Sequence, residues 1–282
     1  MEGTIRSITN HVRDCRRDPE RSDSAAGFSE IPHLGGVPSR DSISCSVIIP
    51  CFNEVGTVVE CVHRILTLPE VNCIVIVDDG STDGSRDVCA SLALRYSPRV
   101  TSVLLPENGG KNAAVHAGAL HTSDDVVIIF DADLTIDPAY IGDVVPHLRH
   151  NLNTFVFGTR SAALAGSMAP IRRVGNRVFA AWVSILVRRR IADAFCGLKA
   201  MPRSTLLATE PSGCRWGDLD LIFAAANHGL RFVALPVEYR RRPSGASKMK
   251  LLRSASTFGA ICLQRTLQSM RQALPGRGGH PA

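Results

Sequence analysis

VVIIFDADLTIDP, at residues 126–138, is the stretch whose reading decides the fold. Its first five residues are apolar without a break and polar sequence bounds them on both sides. So short and continuous a run fits a β-strand buried on both faces better than a half-exposed one. Asp131, Asp133 and Asp137-Pro138 follow at once. A strand covered on both faces needs helices above and below it, so the surrounding sequence should alternate between the two kinds of element.

Upstream, SVIIP (46–50) and CIVIVD (73–78) repeat the pattern of a buried strand, and Val58, Val62, Ile65 and Leu66 recur between them at helical spacing. A helix is expected near 84–95, a strand near 100–105 and a helix near 111–121. Downstream come a helix from Pro138 and the strand TFVFG (154–158). Beyond Gly158 the alternation loosens into a long loop, helices near 175–189 and 217–229, and a late strand, RFVALPVEY (231–239). The fold class is therefore α/β, with a Rossmann-like, mostly parallel sheet, right-handed crossovers and helices on both faces. Ligands of such sheets sit at the carboxyl ends of the strands. Residues 1–44, rich in Arg, Asp, Ser, Gly and Pro with no sustained hydrophobic period, read as a disordered N-terminal tail. Residues 45–250 form the domain, and 251–282 read as an amphipathic basic helix and tail, either lying on a membrane surface or packed on the domain.

Composition removes several classes. Hydrophobic residues make up 45% of the 282, enough for a sizeable core. The net charge of +6 favours anionic partners, but aromatic residues are only 5% and no nucleic-acid-binding signature is present, so no nucleic acid is expected. Nine scattered cysteines without C-x-x-C pairs read as buried thiols in a reducing compartment, which points to the cytoplasm. With no leader pattern and no apolar window of about 18 residues, the chain reads as soluble or at most peripheral, touching the inner face of a membrane.

Each strand end delivers polar residues. The first is PCFNE (50–54), where Asn53 is also placed to cap the next helix. The second is VDDGSTDGS (77–85), whose adjacent acids follow a buried strand, so that one can accept hydrogen bonds from a ribose or a base imide while Ser or Asp caps the following helix. The third, ENGGKN (107–112), sets a glycine pair and Lys111 at a helix start, which suits phosphate. It is not a G-x-x-x-x-G-K-[ST] loop, and PCFNE is not the glycine-rich loop of nucleotidyl transfer. The fourth presents Asp131 and Asp133, whose carboxylates share one side of an extended chain. Asp137 before Pro138 is the better helix cap, which leaves Asp131 and Asp133 as hard oxygen ligands suited to Mg²⁺ or Mn²⁺ bridging a diphosphate.

Together PCFNE, VDDGSTDGS, ENGGKNAAVHAG (107–118) and DADLTIDP (131–138) resemble the family-2 glycosyltransferases of the GT-A fold. GTR (158–160), RRVGN (172–176), DAFCGLKAMPR (193–203) and RRRPSGASKMK (240–250) resemble the polyprenyl-phosphate branch, which includes dolichyl-phosphate mannosyltransferases. The resemblance implies an inverting, metal-dependent glycosyltransferase that takes a UDP- or GDP-sugar to a lipid-phosphate acceptor. Pro50, Phe52 and Glu54 would border the base, and Val77 and Asp79 would hold base and ribose. Ala132 would pack beside the ribose, Asp131 and Asp133 would hold the metal, and Arg160, Arg242 and Lys248 would bind phosphates. The alternative is a soluble glycosyltransferase using a hydroxyl of a small-molecule acceptor. That acceptor must lose a proton, and Asp220, ahead of Asp218, is the candidate base by alignment with an acidic position of the family. A helix N-terminus favoured by these two acids is the structural reading of the same residues. A non-catalytic nucleotide-sugar-binding module is a third reading.

Overall fold

The computed structural model describes residues 43–160, 170–209, 217–244, 256–264 and 266. The expected tail up to residue 42 falls outside them, as do Lys248 and most of 251–282. In chain order the first half contains β1 (Cys45–Cys51), α1 (Val58–Leu66), β2 (Cys73–Asp78), α2 (Ser85–Arg95), β3 (Val100–Leu104), α3 (Lys111–Leu120), β4 (Val126–Phe130) and α4 (Tyr140–His150). There follow β5 (Thr154–Arg160), α5 (Pro170–Val187), β6 (Leu198–Pro202), α6 (Arg203–Leu207), α7 (Asp218–Asn227) and β7 (Arg231–Val237). A further helix, α8, covers 256–264.

The strands form one sheet in the order β3-β2-β1-β4-β6-β5-β7. β1 pairs in parallel with β2 and β4, β2 with β3, and β5 with β7, while β6 is antiparallel to both its neighbours. The mostly parallel α/β sheet expected from the sequence is present, and β6 is the departure from it. LKAMP (198–202) gives no strand signal because a lysine is its second residue, yet Lys199 is only 1% exposed. That burial has a chemical cause described below.

Two cores cover the sheet. One face packs against α1, α2 and α4 through Val58, Val62, Ile65, Leu92, Ile141 and Val145. The other packs against α3, α5, α7 and α8 through Ala114, Val115, Val183, Ile222 and Phe258. Side chains alternate between these layers along each strand, so Ile74 and Ile76 face the first core while Val75 and Val77 face the second. In the described part of the C-terminal segment, 256–264, Phe258 and Cys262 are buried in the second core, and the Phe258 ring centroid lies 4.4 Å from that of Phe195. The seven cysteines among the described residues are free thiols, six of them buried. Burial pushes Cys45 and Cys196 up to about 12, so these act as small apolar side chains.

Candidate active site

All strands but β6 end at one edge, and side chains lock their loops together. Asn53 does not cap α1. It adopts φ of 53°, its N–H donates to the Ser81 hydroxyl (2.9 Å), and its Oδ1 accepts from the Thr82 N–H at 2.7 Å. The Glu54 N–H donates to the Ser85 hydroxyl at 2.9 Å, so the loops after β1 and β2 form one surface. Asp79 extends it to the next loop, its two oxygens accepting the Gly109 and Gly110 N–H groups at 2.8 and 2.9 Å. Two amides that the sequence offered to phosphate are thereby taken by Asp79. Its neighbour Asp78, fully buried, accepts from Ser81 and Arg86 and keeps Oδ1 without a partner among the described residues. Pro50 and Phe52 are partly exposed at the edge, whereas Val77 is wholly buried beneath α3.

The aspartate pair sits in a turn rather than an extended chain, with Leu134 at φ 55° closing it. Asp133 has a local role the sequence did not reveal: its Oδ1 accepts the Thr135 N–H (3.0 Å) and hydroxyl (2.7 Å). Its Oδ2 accepts from Arg242 Nη2 at 2.6 Å, and Arg242 Nη1 donates to Glu54 Oε1 at 2.7 Å. Asp131 Oδ1 lies 2.7 Å from Lys111 Nζ, which also reaches Asp218 Oδ1 at 3.4 Å. Asp218 Oδ1 is in turn held by Lys199 Nζ at 2.6 Å, and Lys199 also donates to the Cys196 carbonyl at 2.6 Å. Glu54, Arg242 and Asp133 thus form one alternating group of charges, and Asp131, Lys111, Asp218 and Lys199 form a second beside it. Asp137 caps the turn entering α4 as expected, accepting the Ala139 N–H at 3.0 Å.

The charges set one another's protonation. Burial pushes the Asp131 carboxyl up, Lys111 opposes it, and Asp133 and Asp218 add repulsion, so it lies above the usual carboxylate range. Burial works against the Lys111 ammonium, but Asp131 and Asp218 outweigh it and hold it protonated. Asp218 is also opposed by burial, yet Lys111 and Lys199 keep it below the usual range. Asp220, two residues further on in α7, is buried and faces α3, where its Oδ2 accepts from the Asn112 amide at 2.6 Å. Of the two acids opening α7, Asp218 is the one brought to the aspartate pair.

Arg160 closes the edge at the end of β5. Its Nε and Nη2 grip Asp193 at 2.5 and 2.7 Å, and its guanidinium lies 5.2 Å from the Tyr239 ring centroid. Burial opposes ionisation of Asp193, but Arg160 prevails and its carboxyl is held low. Asp193 and Lys199 were missed as site residues by sequence reasoning. The signal available was two charged residues in the otherwise apolar DAFCGLKAMP, each needing a buried counter-charge.

Asp131 and Asp133 have the chemistry for a divalent metal, since carboxylate oxygens suit Mg²⁺ and Mn²⁺. Among the described residues no three His, Cys, Asp or Glu side chains converge. A cation here would take its other ligands from a diphosphate and water, as Mg²⁺ commonly does. Gly197 leaves the room: a Cβ at this position would overlap the Asp131 carboxylate. Its carbonyl meanwhile accepts the Asp131 N–H at 3.2 Å.

Residues 46–190 match glycosyl transferase family 2. The undecaprenyl-phosphate 4-deoxy-4-formamido-L-arabinose transferase of Edwardsiella ictaluri is 30% identical over 212 residues, covering 74% of this chain and 63% of that protein. Its namesake from Salmonella typhimurium is 28% identical over 215 residues, with the same shares. The chain thus spans less than two thirds of the length of these relatives. Among solved structures, glucosyl-3-phosphoglycerate synthase from Mycobacterium tuberculosis in complex with Mn²⁺, uridine diphosphate and phosphoglyceric acid superimposes with a TM-score of 0.60. It is 19% identical, over 85% of this chain and 82% of that one. Mannosyl-3-phosphoglycerate synthase from Rubrobacter xylanophilus gives 0.58 at 17% identity, over 85% and 79%. At such identities the likeness is one of fold, the GT-A fold that the strand-end motifs resemble. The family match covers just over half of the chain, β1 through α5, and includes both aspartates of the central turn; the chain belongs to glycosyl transferase family 2.

Proposed function

We propose that this protein transfers a sugar from a UDP- or GDP-sugar to a polyprenyl phosphate, with inversion at the anomeric carbon. The observation that carries the reading is the row of charges at the sheet edge: Asp131 and Asp133 face Lys111 and Arg242 where an α/β sheet receives its ligand. An oxygen of the acceptor phosphate attacks the anomeric carbon as the bond to the donor's diphosphate oxygen breaks. A Mg²⁺ or Mn²⁺ ion on Asp131 and Asp133 would neutralise the departing diphosphate. Arg242 and Lys111 add positive charge there, and Glu54 keeps the Arg242 fork aimed. Pro50 and Phe52 border the base, Asp79 fixes the loops that frame it, and Ala132 packs beside the ribose. Arg160, whose Nε and Nη2 are taken by Asp193, and Lys248, which lies outside the described residues, bind phosphate.

A phosphate acceptor is favoured over a hydroxyl because the candidate base Asp220 is buried against α3, where its Oδ2 accepts from Asn112, and Asp218 is held between Lys111 and Lys199. The relatives named undecaprenyl-phosphate transferases support the same acceptor class. Among the described residues no helix is long and apolar enough to cross a membrane. The surface offered to a lipid is α5, whose Val174, Val178 and Ile185 are 59%, 59% and 75% exposed and lead into exposed Arg188, Arg189 and Arg190. Labelled UDP- and GDP-sugars supplied with Mn²⁺ to polyprenyl phosphate in anionic vesicles test the proposal. Wild type and Asp220→Asn should both form the lipid-linked sugar, EDTA should abolish it, and Ile185→Asp should reduce vesicle association without touching donor hydrolysis. Transfer only to hydroxyl compounds, lost in Asp220→Asn, would replace the lipid-phosphate acceptor.

A further inference from the structure

Asp131 stands beside Lys111 at the edge, at 2.7 Å. It is pressed by Asp133 and Asp218, and among the described residues its ion pair is with Lys111. Lys111 has two seats. Its Nζ lies 2.7 Å from Asp131 and 3.4 Å from Asp218, and the side chains of Lys111, Asp131 and Asp218 are 15%, 33% and 5% exposed, so water reaches the Asp131 seat and not the Asp218 seat. The second seat is built to stay where it is. Asp218 is 5% exposed at the side chain and is gripped by Lys199, which is 1% exposed, sits on a strand inside the sheet and is anchored again by the Cys196 carbonyl. A buried lysine in a sheet is costly unless it is paired and hydrogen-bonded, and here both of its contacts serve to fix Asp218.

We infer that Lys111 is a tethered counter-ion that occupies Asp131 before the metal arrives and withdraws to Asp218 when a divalent cation takes its place, with Lys199 and Asp218 as positioning residues for that second seat. The inference rests on the metal site proposed above and deepens it. Metal uptake must then displace a contact ion pair. Cation binding alone is weakened, and the site is biased toward the metal arriving with a diphosphate, whose negative charge offsets the ammonium held at Asp218. Arg242 stands in a different relation to Asp133, because it already bonds two carboxylates at once, Asp133 at 2.6 Å and Glu54 at 2.7 Å.

The test is Mn²⁺ binding to the full chain without nucleotide, followed by the electron paramagnetic resonance signal of free Mn²⁺, so no turnover is needed. Lys111→Met keeps the length of the side chain and removes the charge. Lys111→Gln checks that the result does not depend on how methionine packs. Both should bind Mn²⁺ at least about tenfold more tightly than wild type, a difference of about 1.4 kcal/mol. The gain should persist at about 1 M salt, where the Debye length is about 3 Å and a purely long-range effect would be screened. Affinity unchanged or lowered in both variants, or a gain that disappears at high salt, overturns the inference alone when wild type still takes up Mn²⁺ with UDP or GDP. Absence of Mn²⁺ uptake by wild type even with UDP or GDP overturns the metal site and this inference with it.

Discussion

Gly197 shows how far the site depends on single atoms. A methyl group there would fall on the Asp131 carboxylate, and because Gly197 is not among the glycines with positive φ, the backbone itself would accept alanine. Gly197→Ala should cost about 1–3 kcal/mol of stability by overpacking and weaken joint binding of Mn²⁺ and nucleoside diphosphate by more than about tenfold, measured by calorimetry. Wild-type binding in this variant would mean that Asp131 has no fixed place in the site. Residue identity at the edge was largely legible in the sequence, since Asp131, Asp133, Lys111, Glu54 and Arg242 meet there. The partners were not. That Asp79 would be taken by two backbone amides, or that Asp218 and not Asp220 would turn toward Asp131, depends on how α7 is rotated against α3, and no motif encodes that rotation.

Among the elements, β6 and the segment leading into it matter most. The strands β1, β2, β4 and β5 were readable because each is a continuous apolar run, and α1 because its apolar residues recur at helical spacing. β6 was not, because Lys199 breaks its run and is tolerated through the Cys196 carbonyl and Asp218, a partner from α7. The same segment carries Asp193, which ties its entry to the end of β5 through Arg160. Removing one partner of a buried pair strands the other, so Asp193→Asn should lose about 3 kcal/mol at neutral pH. The carboxyl is held low in the folded state, so the unfolded chain takes up its proton first. The pair's contribution is therefore complete above about pH 4, the ordinary aspartate range, and fades as pH falls through the folded value. Denaturant titrations should show the gap between wild type and variant narrowing below about pH 4. A gap independent of pH would deny the pair that role.

At the scale of the whole molecule, the fold gathers five loops from different parts of the chain onto one edge. β1, β2, β3, β4 and β5 share a direction, and β6 enters at that edge to bring Gly197 against Asp131. The account stands on that edge holding a nucleoside diphosphate through a divalent cation. Thermal unfolding of the full chain with UDP or GDP, in Mn²⁺ and in EDTA, measures this directly. A ligand at one hundred times its Kd adds about 2.7 kcal/mol, which for a domain of this size is a rise of about 5–10 °C in Tm. That rise is predicted with Mn²⁺ for one of the two nucleotides, and it should vanish in EDTA and in Asp131→Asn. An equal rise in EDTA, or in the Asp131 variant, would contradict the account.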